Sequence, residues 1–284
     1  MIFLPIASSE GVSMMAEPLI DTAGFLRYFT NSILFTMIVV VAIVVLARQA
    51  TRRMQLVPSG GQNLFEAIVE ALYGMLEDIV GKHMIARVFS LLATLFIFIL
   101  VANWSGLLPG VGTIGWGEKT GPLTLSSVTN PLLRATTADL NMTLAMALFF
   151  MVVWLYWTFA EVGPVKFILH LFGPKGGLKG IMLALLLPIF IFNGFIEVIS
   201  ILFRPVSLSM RLYGNIFAGE TLLHTMSTLG DKLPAPFSYL SSVLLQLPFY
   251  FLELLVGFVQ ALVFMLLCAA YIALSTAHEE DEGH

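Results

Sequence analysis

Stretches without Asp, Glu, Lys or Arg dominate the chain, at 28–47, 88–117, 140–160, 180–196, 233–252 and 254–278. Several reach the ~18–20 residues that a helix needs to cross a hydrocarbon core about 30 Å thick. Continuous apolar runs predict membrane-spanning helices and exclude a β-barrel, whose strands alternate in segments of about 10 residues. The stretch 62–81 has a different pattern. Leu64, Phe65, Ile68, Leu72, Met75, Leu76 and Ile79 recur at spacings of three and four, with Glu66, Glu70, Glu77 and Asp78 elsewhere on the wheel. This predicts an amphipathic helix at the cytoplasmic interface. It is acidic, whereas helices that bind lipid are usually basic, so its free face suits protein better than lipid.

The last two apolar regions exceed a simple span. Residues 180–229 would extend roughly 75 Å as one helix and 236–277 roughly 63 Å. Neither stands upright in a ~30 Å core, so a long, strongly tilted pair is expected, joined as a hairpin at 230–236. Pro188, Pro205 and Pro248 mark where these helices would bend or break. The predicted class is therefore an all-α membrane protein with about five membrane-embedded helices and one interfacial helix. The expected segments are an outer N-terminal stretch 1–27, a first span and amphipathic helix 28–87, and a hairpin with a Gly/Pro-rich outer loop 88–179. The tilted pair 180–277 and an acidic tail 278–284 complete the chain.

Composition strengthens this reading. Apolar residues make up 58% and charged residues 11%, against about 45–50% and 25% in soluble domains. The net charge of −4 and the thin spread of basic residues give no nucleic-acid signature. Cys268 is the one cysteine, which excludes an internal disulfide. The apolar start Met1-Ile2-Phe3-Leu4 has no basic region of the kind that opens a cleavable signal. Lys and Arg count toward the cytoplasm in short loops. Arg48, Arg52, Arg53, Lys82, Arg87, Lys166, Lys175 and Lys179 then lie inside, while Arg27, Lys119, Arg134 and Lys232 lie outside. The N-terminus is expected outside and the C-terminus in the cytoplasm.

Glu197, Arg204, Arg211, Glu220 and Glu253 stand in otherwise apolar sequence. An ionisable group at mid-membrane costs roughly 3 kcal/mol on insertion scales, so such groups line an aqueous path or pair within the protein. Ion translocation is one reading, and pairing of Glu197 with Arg204 to hold helices together is the other. At about 100° per residue, Glu197, Arg204, Arg211 and Asn215 form one polar stripe. Glu220 lies nine residues past Arg211, half a turn round and roughly 13 Å further along. Glu253, Gly257 and Gln260 share a face of the last helix. A guanidinium holds its proton and offers donors without an acceptor, so Arg211 is a poor proton relay and a good barrier.

Arg204-Pro-Val-Ser-Leu-Ser-Met-Arg211-Leu-Tyr-Gly-Asn215-Ile-Phe-Ala-Gly-Glu220 closely resembles the signature of the a subunit of F-type ATP synthases, the stator channel of the membrane sector. Ala138-Asp139-Leu-Asn141-Met-Thr143 resembles the opening of that family's next span, and Asn103-Trp-Ser-Gly-Leu-Leu-Pro109-Gly its outer-loop signature. Gln260-Ala-Leu-Val-Phe-Met-Leu-Leu and Tyr271-Ile-Ala-Leu-Ser resemble its last helix, so the likeness covers about 25–280. The resemblance implies ion transfer through two half-channels to carboxylates on a rotating ring of c subunits, with peripheral-stalk b subunits and lipid as further partners. It implies that Arg211 is the stator arginine, that Glu220 and Glu253 form an outer pair, and that Gln260 and Asn215 lie near the arginine. Glu197 and Asn193 would belong to the inner half-channel, and Asp139 and Asn141 to the outer entrance. Some bacterial members place His where this chain has Glu253. His224, four residues after Glu220, lies outside the family pattern and reads either as a second titratable group of the outer cavity or as a satisfied helix histidine.

Other signals carry less. Gly173-Pro-Lys-Gly-Gly177 lacks the spacing of a phosphate loop, so no nucleotide is expected on this chain and the ATP chemistry would reside elsewhere. No cofactor or metal is expected, the His278–His284 tail reading as a solvated acidic run. A secondary transporter is the main rival, yet no second copy of the charged motif gives the usual internal repeat. A structural subunit of a respiratory complex is the other. It leaves the outward displacement of Glu220 from Arg211 unexplained.

Overall fold

The computed structural model describes residues 29–52, 54–55, 60–108, 111, 114–119, 125–173, 181–231 and 237–276, with Ala16 and Pro18. The expected N-terminal segment 1–27, most of the turns at 173–177 and 230–236 and the acidic tail 278–284 lie outside these residues. Seven α-helices follow in order: α1 Asn31–Thr51, α2 Gly61–Val80, α3 Lys82–Gly106, α4 Leu140–Glu161, α5 Pro164–Phe172, α6 Ile181–Asp231 and α7 Phe237–Thr276. Five of them, α1, α3, α4, α6 and α7, are long and apolar enough to cross a membrane. The all-α membrane class and the amphipathic helix both match the sequence reading.

Glycine shapes two of the connections. Gly81 has φ +83°, a conformation that costs other residues but not glycine, and it turns α2 directly into α3. Gly163 adopts the same φ after α4, and Pro164 at the first helical position starts α5. The sequence reading placed Lys166, Lys175 and Lys179 on the inside without assigning a helix there; the Gly-Pro pair starts one at Pro164. The loop between α3 and α4 also holds more structure than its glycines and prolines indicated. Strands β1 Gly115–Lys119 and β2 Leu125–Pro131 pair antiparallel, and a 3-10 turn spans Thr136–Ala138. A single two-stranded ribbon leaves the class all-α.

Helices α6 and α7 share the most extensive contact in the molecule. At 51 and 40 residues they would run roughly 76 and 60 Å, and both continue through the prolines at 188, 205 and 248. Proline removes one ladder hydrogen bond at each site. Neighbouring helices compensate for such losses in a membrane. The core lies where α2, α3, α4, α6 and α7 converge, with Leu76, Met84, Leu92, Ile99, Phe150, Leu212, Phe264 and Met265 fully or nearly fully buried. The opposite surfaces of the long pair are apolar and exposed, as at Phe192, Phe195, Leu202, Phe203, Phe251 and Leu255. Such a surface suits hydrocarbon and would be costly in water. Arg87 of α3 pairs with Glu161 of α4, which brings the start of one span and the end of the next to the same face of the bundle.

Candidate functional site

The long helices meet through small and polar residues. Asn215 Nδ2 of α6 donates to Gln260 Oε1 of α7 at 2.7 Å. One turn further along α6, Gly219 lies directly against the Glu253 carboxylate, and a Cβ there would overlap it. Glycine at 219 therefore lets an acidic side chain enter a helix contact that any larger residue would fill. Glu253 and Gln260 are buried, and Gln260 Nε2 meets no acceptor among the described residues. The sequence reading quoted Gly219 within the motif and gave it no role. Glycine inside a helix costs about 1 kcal/mol relative to alanine, a signal that Gly219 shares with Gly194 and Gly214 of the same helix.

Arg211 has a different environment. It is exposed, and no described residue offers it an ion pair or hydrogen bond. Ser207, Ala218, Thr221 and Thr225 extend the same side of α6 and are also exposed. Thr221 and Thr225 turn their hydroxyls back onto the carbonyls of Phe217 and Thr221 at 2.8 and 2.7 Å. That face is thus smooth and small, with one fixed charge. Among the described residues no other element covers it.

Glu220 is partly exposed and does not meet Arg211. Arg134 and Glu253 are the charged groups within its electrostatic reach. His224, one turn on, has its Nε2 buried without a partner among the described residues. Asp139 caps α4: its Oδ1 accepts from the Asn141 backbone N–H at 3.0 Å, and its Oδ2 accepts from the Ser32 hydroxyl of α1 at 2.5 Å. Both oxygens serve the fold, and the Asn141 side chain is exposed nearby. Asn103 lies in the last turn of α3 rather than in the loop. Its Nδ2 donates to Gly257 O at 3.0 Å, while Trp104 Nε1 donates to Leu254 O at 3.0 Å. The end of α3 is so tied to α7 just past Glu253.

At the opposite end, Arg204 lies 4.6 Å from the Tyr271 ring and 5.3 Å from the Trp154 ring, within cation–π range of both. Trp154 Nε1 donates to Tyr271 O at 3.0 Å and locks the two rings together. Glu197 is partly exposed and within electrostatic reach of Arg204, and Asn193 is exposed a turn before it. Gly194 lets α5 approach, since a Cβ there would lie 2.6 Å from Leu171 O. The structure thus brings Asn215 to Gln260 and Gly219, the neighbour of Glu220, to Glu253. It keeps Arg211, Asn193 and Asn141 at the surface and sets Glu197 apart with Arg204.

Comparison with known proteins identifies what this arrangement belongs to. The family model described as ATP synthase A chain matches residues 32–273. The chain is 35% identical over 255 residues to ATP synthase subunit a of Trichlorobacter lovleyi, covering 87% of this chain and 89% of that protein. It is 34% identical over 270 residues to ATP synthase subunit a of Campylobacter jejuni, covering 94% and 96%, and 32% identical over 261 residues to that of Protochlamydia amoebophila, covering 92% and 84%. These relatives are bacterial, and with its apolar helices the chain is a membrane protein of the same kind. It belongs to the ATP synthase A chain family, the a subunit of the membrane sector of F-type ATP synthase.

Proposed function

We propose that this chain is the stator channel of a rotary ATP synthase in a bacterial plasma membrane, N-terminus outside and C-terminus in the cytoplasm. It passes protons to and from carboxylates on a rotating c-ring through two offset half-channels. The observation that carries the reading is the separation of charges on α6. Arg211 is exposed and has no ion-pair or hydrogen-bond partner among the described residues, whereas Glu220 lies roughly 13 Å further along, next to Gly219 where α6 packs on Glu253 of α7.

The chemistry follows from that separation. An exposed arginine in hydrocarbon is costly unless a partner supplies the opposite charge, and a carboxylate on an adjacent rotor does so. As a ring carboxylate returns, the fixed charge of Arg211 attracts its ionised form, and the released proton leaves by the inner path past Asn193 and Glu197. Because the guanidinium neither gives up nor accepts a proton, it stops leakage between the two paths. Protons arrive at the ring through Glu220 and Glu253, with Asn215 and Gln260 setting the α6–α7 spacing beside the arginine. His224 is a further titratable member of this outer cavity, and Asp139 and Asn141 frame its entrance. Peripheral-stalk b subunits take the exposed face of α2. This chain holds no nucleotide, and the ATP chemistry belongs to other subunits.

The test is ATP-driven proton pumping in vesicles carrying the wild-type chain or Arg211→Ala, with ring capture as the check of assembly. Loss of pumping in an assembled complex is expected. Normal pumping by that variant would mean that the charge stripe only holds helices together.

A further inference from the structure

Trp104 entered the sequence reading only as part of an outer-loop motif. It stands instead in the last turn of α3 beside Asn103, and both side chains reach the same stretch of α7. Trp104 Nε1 donates to Leu254 O at 3.0 Å, and Asn103 Nδ2 donates to Gly257 O at 3.0 Å. The two carbonyls are three residues apart and so lie on one side of α7. Each has a second lone pair for such a donor while it accepts its helical N–H. Gly257 makes the approach possible, since a Cβ there would lie 3.2 Å from Asn103 Cβ and 3.5 Å from Trp104 Cδ1.

Leu254 directly follows Glu253, which is buried with its carboxylate against Gly219 of α6. A single bond from α3 would leave α7 free to swivel about it. Two donors on carbonyls nearly one turn apart fix both the rotation and the height of α7 against α3. The space at Gly219 is narrow, because one added Cβ would overlap the Glu253 carboxylate. A small rotation of α7 would therefore carry that carboxylate out of its place.

We propose that Trp104 is a positioning residue of the outer path: with Asn103 it anchors α7 by the Leu254 and Gly257 carbonyls, and so holds the Glu253 carboxylate against Gly219 for proton transfer. Tryptophan suits the role because the indole N–H is a donor only and stands at the edge of a large flat ring. The ring is 42% exposed, so phenylalanine at this position removes the anchor without emptying the core.

The role of Trp104 rests on the reading of Glu253 as an outer-path group, and two readouts separate them. ATP-driven pumping by the assembled synthase in vesicles is measured across pH for wild type, W104F, E253Q and W104F/E253Q, each normalised to captured ring. W104F is expected to slow pumping roughly 3- to 10-fold, short of the about 100-fold that an ångström of misplacement can cost. It is also expected to displace the pH profile, because the carboxylate leaves its surroundings beside Gly219 and Glu220. E253Q is expected to slow pumping, and the double variant to be no slower than E253Q and to keep its profile, the sign of coupled residues. A uniform loss at every pH in W104F, or single effects that multiply in the double variant, would overturn the role of Trp104 and leave Glu253 in the path. Wild-type pumping by W104F would do the same. Wild-type rate and profile in E253Q would overturn both. Should W104F not capture the ring, W104Y is measured in its place by the same criteria.

Discussion

Arg204 and Arg211 lie seven residues apart on one stripe of α6, and by sequence they are near equivalents. Their surroundings differ completely. Arg204 is enclosed by Trp154 and Tyr271 and sees Glu197, all from within the chain. Arg211 is exposed beside small side chains and has no ion-pair or hydrogen-bond partner among the described residues. A charge that the fold neutralises serves the fold, whereas one left without a partner in a lipid-facing position needs an outside one. Under the proposed function the translocation reading applies to Arg211, whereas Arg204 is held by ring contacts within the chain.

The largest expected effect breaks the comparison if it fails. Arg211→Ala removes coupled ATP synthesis by roughly 100-fold or more, the scale on which loss of a preorganised charge acts, while ring capture is retained. Respiration-driven synthesis in vesicles measures it. Gly219→Val comes next, because its side chain would occupy the space of the Glu253 carboxylate. Overpacking of a tight contact costs about 1–3 kcal/mol, and pumping should fall about 10-fold or more; unchanged pumping would show that α6 and α7 are looser here than their packing implies.

Glu220→Gln should slow pumping about 10-fold, below the 10²–10⁴ range of an irreplaceable proton-transfer group, since Glu253 still provides a carboxylate. Arg204→Met sharpens the contrast from the other side. It should cost about 1–2 kcal/mol of stability through the lost cation–π contacts, seen as an earlier thermal transition of the detergent-solubilised complex, with pumping within about 2-fold of wild type. A loss of coupling as deep as that of Arg211→Ala would erase the distinction between the two arginines. Asn215→Ala is the mildest, removing one hydrogen bond to Gln260 worth about 0.5–1.5 kcal/mol. A small drop in the same transition checks it.

Much of the architecture was legible in the residues. The apolar runs located all five long helices, and the spacing of Leu72, Leu76 and their neighbours gave the amphipathic α2 that buries those two leucines against the core. Helix arithmetic also separated Glu220 from Arg211 correctly. It missed α5, whose start depends on a Gly-Pro junction, and the ribbon inside the outer loop. It assigned Arg134 to the outside on charge alone. Sequence counting distinguishes loop from span and cannot show that a loop folds back against a helix.

The sequence by itself determined the membrane class, the long helical pair and the order of charges along α6, because hydrophobicity and helical rotation act locally and add residue by residue. Only the tertiary structure decided which of those charges are answered. A helical wheel gives each side chain a direction about its own axis, but the partner on that side comes from another part of the chain. Gly219 admits Glu253, the Ala135–Ala138 segment packs on Ile216 of α6, and two aromatic rings flank Arg204. Arg211 alone of these groups is left for a partner outside the chain, because no element of the described fold packs over its face.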